Sequence, residues 1–297
     1  MTKLFDDIED WFVGTKTKTT KSKSSGGVKS SPSSRNYLTP RKQAVANAIK
    51  ATNAKLPQVV VKISGSSKGA NRAQAHANYI GRHGNVELED QDGNTYKGKD
   101  EQKHLLEAWA AQGMHDKHET GSRREAFHFV FSMPNGTNPQ AMKEAVKNLV
   151  KEEFDGHQYF LAQHLDTDSP HVHVLINATN DKGERLNPRK QDLHNYRVNF
   201  VHKLKEQGIS ATATRRIHRF QAKDGYNQSK FHENLRKGQG VPTKKPPTTA
   251  QAKSIKKTHN EVAKRYQDYA KNLTSENSDI KQEINKLTKG LIKDRGR

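Results

Sequence analysis

Gln158-Tyr-Phe-Leu-Ala-Gln-His164 and Pro170-His-Val-His-Val-Leu-Ile-Asn177 are two apolar runs joined by the polar stretch Leu165-Asp-Thr-Asp-Ser169. Runs of this length, rich in β-branched and aromatic residues, read as strands. A link this short leaves no room for a crossover helix, so the two are expected to pair antiparallel. The reading extends outward from them. Ala126–Ser132 (AFHFVFS) and Gln58–Ser64 (QVVVKIS) are further strands, and Val86–Gly98 (VELEDQDGNTYKG) is a hairpin turning at Asp92-Gly93, where a tight turn needs positive φ.

Helices are expected over Ala70–Arg82, Glu101–His115, Pro139 to about Phe154, and Lys190–Gln207, the last stopping at Gly208. Pro139 follows Asn138 and suits a first helical position, where the missing N–H would have no partner anyway. This mixture predicts an α+β fold, a central antiparallel sheet with flanking helices on one side. Beyond it, Leu4–Val13 reads as a short helix and Gly14–Arg35 as a basic Lys/Thr/Ser/Gly linker with too little apolar surface to order. Gly238–Lys253 is a second, Pro- and Thr-rich linker, and Ser254–Ile292 reads as one or two charged helices. Three segments follow: 1–56, a short helix and disordered basic stretch; 57–225, the folded core; and 226–297, a linker and basic helical tail.

The 297 residues include 52 Lys and Arg against 32 Asp and Glu, a formal charge of +20, which favours a polyanionic partner such as nucleic acid. The absence of cysteine excludes disulfides and zinc-thiolate sites. No apolar run has bilayer-spanning length, and the acidic start MTKLFDDIEDWFVG does not read as a secretory signal, so a cytoplasmic protein is expected.

The chemistry concentrates in His164-Leu-Asp166-Thr-Asp168-Ser-Pro170-His171-Val-His173. Residues two apart on a strand share a face, so His171 and His173 point together, and pairing through the turn brings His164 within reach. Three imidazoles with positions left open describe a catalytic rather than a closed structural metal site. A ligating histidine usually donates its second N–H to a carboxylate or carbonyl, a role Asp166 or Asp168 could fill.

The pattern H-x-D-x-x-x-P-H-x-H-x-x-x-N, from His164 to Asn177, resembles the third motif of the HUH-type relaxases, particularly the MobP class. FHFVFSMPNGTNPQAMKEAV (Phe127–Val146) is similar to that family's second motif and HANYIGRHG (His76–Gly84) to its first. The resemblance covers about Pro57 to Phe220 and assigns the 57–225 core to an HUH endonuclease/relaxase-like domain. It implies Tyr79 as the nucleophile, His164, His171 and His173 as ligands of a divalent ion, Mg²⁺ or Mn²⁺, and Asp166 as the group orienting His164. It also implies DNA contacts for Ser132, Arg82 and Asn177. Thr167 stands where some relaxases place a glutamate, which leaves the general base unassigned.

The activity implied is strand-specific nicking at an origin of transfer, giving a 5′-phosphotyrosyl link. Single-stranded DNA, accessory DNA-binding proteins and a type IV secretion coupling protein would be the partners, and transfer into a recipient cell would follow. A rolling-circle replication initiator and a non-catalytic nucleic-acid-binding protein are the alternatives. Among other tyrosines, Tyr159 reads as core and Tyr196 as runner-up to Tyr79. His128 reads as a structural histidine, and His76 belongs to no constellation. Arg215 and Arg216, with Arg219, are expected to meet phosphates, since arginine forks match phosphate oxygens. The C-terminal KGLIKDRGR is a basic end of the kind that serves some relaxases as a secretion signal.

Overall fold

The computed structural model describes residues 40–111, 123–221, 233–239, 247–274 and 277–289, together with Ile8, Phe12 and Leu291. Most of the expected Leu4–Val13 helix, the Gly14–Arg35 linker and most of the C-terminal KGLIKDRGR lie outside the described residues. The described chain divides into two units, one formed by residues between Leu56 and Ala213 and one by residues before Lys55 and after Thr214.

The first unit contains β1 (Val60–Ser67), α2 (Ala70–Ile80), β2 (Leu88–Asp90), β3 (Thr95–Tyr96), α3 (Lys99–Ala111), β4 (Ala126–Ser132), α4 (Pro139–Glu153), β5 (His157–His164), β6 (His171–Asn180) and α5 (Lys190–Glu206). Its six strands form one sheet in the order β1-β4-β6-β5-β2-β3, and every neighbouring pair is antiparallel. The fold is therefore α+β with a central antiparallel sheet, as the patterning implied.

Strand alternation sorts the sheet's side chains onto two faces. Phe127, Phe129, Phe131, Tyr159, Leu161, Val172, Val174 and Ile176 pack with Met142, Val146 and Leu149 of α4 and Phe200 and Leu204 of α5. Ala126, Phe160, Ala162 and Leu175 pack on the opposite face with Ala73, Ala77 and Ile80 of α2 and Leu105 and Trp109 of α3. Helices thus cover both faces, not one as expected. The reason is that the second alternating set also carries apolar residues, Ala126, Phe160, Ala162 and Leu175, beside its histidines, so it too needs a cover. Burying a ring such as Phe129, fully enclosed here, stabilises by about 1.5–3 kcal/mol.

Local sequence sets the helix ends. Asn138 caps α4 by accepting from the Ala141 N–H at 3.1 Å, with Pro139 as the first helical residue. The α2 helix ends at Ile80 rather than Arg82, because Arg82, His83 and Gly84 all take positive φ, at 49°, 56° and 93°. At the hairpin's turn Gly93 takes the positive φ, at 86°, and Asp92 does not. The β1 register shifts between Ile63 and Gly65, a bulge opposite His128.

The second unit contains α1 (Pro40–Asn53), a 3₁₀ turn at Arg216–Arg219, α6 (Thr249–Lys271) and α7 (Ser278–Thr288). Its core includes Val45, Ile49, Val262, Tyr266, Ile280 and Ile284. The α1 helix was not read from the sequence; it offers only a few apolar positions, among them Val45, Ala46 and Ile49. No described helix is long and apolar enough to cross a membrane.

Candidate active site

His171 opens β6 with Ser132 of β4 opposite it on one side and His164 of β5 on the other. His173 lies one pleat further along, between Val130 and Ala162, so all three histidines stand on the sheet face that carries α2. Their ring centroids are 5.1 Å (His164–His171), 4.6 Å (His164–His173) and 5.1 Å (His171–His173) apart. One nitrogen from each lies within 4.8 Å of the other two.

The hydrogen bonds fix where the lone pairs lie, and the one on His164 accepts from Arg82 Nη2 at 3.3 Å. His164 Nε2–H donates to the Ile80 carbonyl at 2.6 Å, which places its lone pair on Nδ1. His171 Nδ1–H donates to the Ser169 carbonyl at 3.1 Å, which places its lone pair on Nε2. Nδ1 of His173 is buried and has no hydrogen-bond partner. Burial, followed by the neighbouring His164 and His171, pushes the His173 pKa down to about 3. Burial, and then Arg82 and His171, also lower that of His164 against the Ile80 hydrogen bond. Neutral imidazoles are the protonation state a metal requires, and an orphaned buried nitrogen in such a group is the mark of a ligand position. The donor set therefore fits a divalent ion.

Tyr79, on the last turn of α2, meets the cluster from above. Its ring lies edge-on to His173 at 6.1 Å between centroids, and its side chain is 53% exposed. The Arg82 guanidinium stands 5.4 Å from the Tyr79 ring. Arg82 Nη2 donates to Asp166 at 2.6 Å and approaches His164 Nδ1 at 3.3 Å. Asp166 thus pairs with Arg82, and the Ile80 carbonyl takes the orienting place that the resemblance gave to Asp166. The rival tyrosines face away: Tyr159 of β5 and Tyr196 of α5 are buried in the core on the sheet face that carries α4 and α5.

The other expected contacts divide. Ser132 is drawn in, directly across from His171. Asn177 is not: six residues along β6 at a rise of about 3.3 Å each carry it about 20 Å from His171, where its side chain accepts from the Thr179 N–H. Arg215 and Arg216 belong to the second unit, and the Arg219 guanidinium donates to the Thr214 carbonyl within that unit.

Two residues set aside at the sequence level belong here. His76 and His128 stack at 3.6 Å with an 8° interplanar angle, and His76 in turn stacks on Tyr79 at 6.0 Å. His76 sits three residues before Tyr79 on one helix face, and His128 shares strand parity with Ser132, so the sequence held the face of each but not their meeting.

An antiparallel sheet that brings three histidines together beside an exposed tyrosine is the arrangement that the resemblance to HUH-type relaxases implied. Residues 79–209, somewhat under half of the chain, match the family model described as the nuclease domain of MobA/VirD2-like relaxases. Two T-DNA border endonucleases named VirD2 are similar to the chain. The protein of Rhizobium radiobacter is 27% identical over 134 residues, covering 40% of this chain and 32% of that protein. That of Agrobacterium fabrum is 26% identical over 182 residues, covering 54% of this chain and 40% of that protein. The chain thus spans well under half the length of these relatives.

Proposed function

We propose that the chain is a DNA relaxase that nicks one strand at the origin of transfer of a plasmid or mobile element and initiates conjugative transfer. The observation that carries this reading is the placement of an exposed tyrosine ring against three imidazoles, edge-on to His173 at 6.1 Å. Tyr79 Oη attacks the scissile phosphorus; the new O–P bond forms as the bond to the 3′ oxygen breaks, leaving a 5′-phosphotyrosyl link and a free 3′-hydroxyl. The tyrosine proton passes to solvent and the departing 3′ oxygen takes one up. The exchange of one phosphodiester for another makes rejoining the reverse of the same step.

His164, His171 and His173 would hold Mg²⁺ or Mn²⁺, which supplies charge neutralisation at the non-bridging phosphate oxygens. Arg82 offers a second cation beside Tyr79, which suits a phosphate contact once Asp166 releases it. Ser132, opposite His171, would contact the strand near the cut. The net charge of +20 attracts a single-stranded or locally melted substrate. In this reading the enzyme acts in a bacterial cytoplasm with accessory DNA-binding proteins, and a type IV secretion coupling protein passes it with its DNA to a recipient.

Incubation with a library of single-stranded oligonucleotides and Mn²⁺, with mass spectrometry of the DNA-linked peptide, tests the proposal. The adduct is expected on Tyr79 and absent from Tyr79→Phe, which still binds oligonucleotide. An adduct on another tyrosine, or binding without any adduct, overturns it.

A further inference from the structure

We infer that His76, braced from behind by His128 and Ser67, is a positioning residue that holds the Tyr79 ring ready for attack. The inference rests on the reading of Tyr79 as nucleophile. An exposed tyrosine near a helix end is ordinarily free to exchange rotamers on a fast timescale. Tyr79 is 53% exposed, yet its ring is flanked by His76 at 6.0 Å and 28° and by the edge of His173 at 6.1 Å and 90°.

What stands behind His76 makes it a fixed wall. The His128 ring lies parallel to it at 3.6 Å and 8°. His128 Nε2 is itself hydrogen-bonded with Ser67 Oγ at 2.7 Å, so the column runs from β1 through β4 and α2 to the phenol. His76 Nε2 is buried without a hydrogen-bond partner, so no bond from that atom competes with stacking for the ring's orientation.

The β1 bulge leaves room for this arrangement. A Cβ on Gly65 would lie 3.0 Å from His128 Nδ1, at the limit of tolerable contact, so glycine lets the imidazole lie flat against the strand. Two charged rings could not stack face to face at this distance, and burial holds both neutral, with His76 lowered to about 4 and His128 to about 3. The second histidine pair thus has no part in the metal site. It acts on Tyr79 through ring packing.

The test compares His76→Ala and His76→Phe with the native chain carrying 3-fluorotyrosine, the Tyr79 resonance being assigned with Tyr79→Phe. In His76→Ala the Tyr79 fluorine resonance should shift and narrow, with oligonucleotide and Mn²⁺ affinities unchanged. The rate of adduct formation at saturating oligonucleotide should fall about ten- to a hundredfold, the usual cost of a misplaced reacting group. His76→Phe, which keeps a flat ring, should restore most of the rate. An unmoved resonance with an unchanged rate overturns the inference, as does a loss of rate that follows a loss of Mn²⁺ affinity. If Tyr79→Phe still forms the adduct, it is the assignment of the nucleophile that fails; the fluorine resonance reads the ring contact independently of that outcome.

Discussion

Arg82 Nη2 donates to Asp166 at 2.6 Å while standing 3.3 Å from Nδ1 of His164, the nitrogen that carries the lone pair. A fixed cation there opposes a second cation on the histidines. Replacing Arg82 by Gln should therefore tighten Mn²⁺ binding, by about three- to tenfold once solvent screening is allowed for. The same change should weaken binding of single-stranded oligonucleotide, because a phosphate contact is lost. Titration by electron paramagnetic resonance measures the first effect, and an Mn²⁺ affinity that is unchanged or weaker counts against this electrostatic account.

Three imidazoles on this face are held neutral by burial, His173 and His128 at about 3 and His76 at about 4. In the unfolded chain each titrates near 6.5, so between about pH 6.5 and pH 4 the unfolded state binds more protons than the folded one. Stability must then rise with pH across that window and fall on acidification. The ceiling is about 1.4 kcal/mol per pH unit for each group, and His76 and His128, being only partly buried, should fall below it. Thermal denaturation of the metal-free protein from pH 7 to pH 5 should show a steadily falling midpoint, and a flat profile is the contrary result.

The turn after Tyr79 is stiff for a backbone reason. Gly84 has φ +93°, and a Cβ there would lie 2.7 Å from the Lys99 amide nitrogen and 2.8 Å from the Gly98 carbonyl carbon. Backbone atoms cannot move aside as a side-chain tip can, so Gly84→Ala should cost more than about 2 kcal/mol. Gly93 has a similar φ of +86° but open space around it, so Gly93→Ala should cost only the left-handed penalty of about 1–2 kcal/mol. Urea denaturation of the two variants separates conformational strain from steric overlap, and equal losses would remove the steric argument.

How far the sequence reached depends on how local each feature is. The strands β4, β5 and β6 and the helix α4 were legible because apolar runs rich in β-branched and aromatic residues, a short polar link and the Asn138-Pro139 start are all local signals. The histidine trio was legible for the same reason: His171 and His173 share a face of the strand, and the short link folds His164 back onto them. His76 and His128 were passed over because their meeting depends on where α2 crosses the sheet, a tertiary fact. The Ile80 carbonyl that orients His164 is a backbone group on that same helix, so no side-chain motif announces it. Asn177 fails differently: strand parity gives the face a residue occupies but not how far along the strand it lies from the site.

Tyr196 supplies the sharpest control on the choice of nucleophile. It is 5% exposed, with its ring 5.1 Å from Phe154 and 5.8 Å from Phe129 in the core beneath α4 and α5, on the sheet face opposite Tyr79. Burial raises its phenol pKa, the reverse of what an attacking oxygen needs. Tyr196→Phe keeps the packed ring and should leave adduct formation at the native rate. Tyr196→Ala opens a cavity in a close-packed core and should cost about 3–5 kcal/mol, the usual loss for an aromatic truncated to alanine. Adduct yield from Tyr196→Phe under native conditions, beside the unfolding midpoint of Tyr196→Ala, decides the matter. A folded Tyr196→Phe chain that no longer links to DNA would transfer the nucleophile's role away from Tyr79.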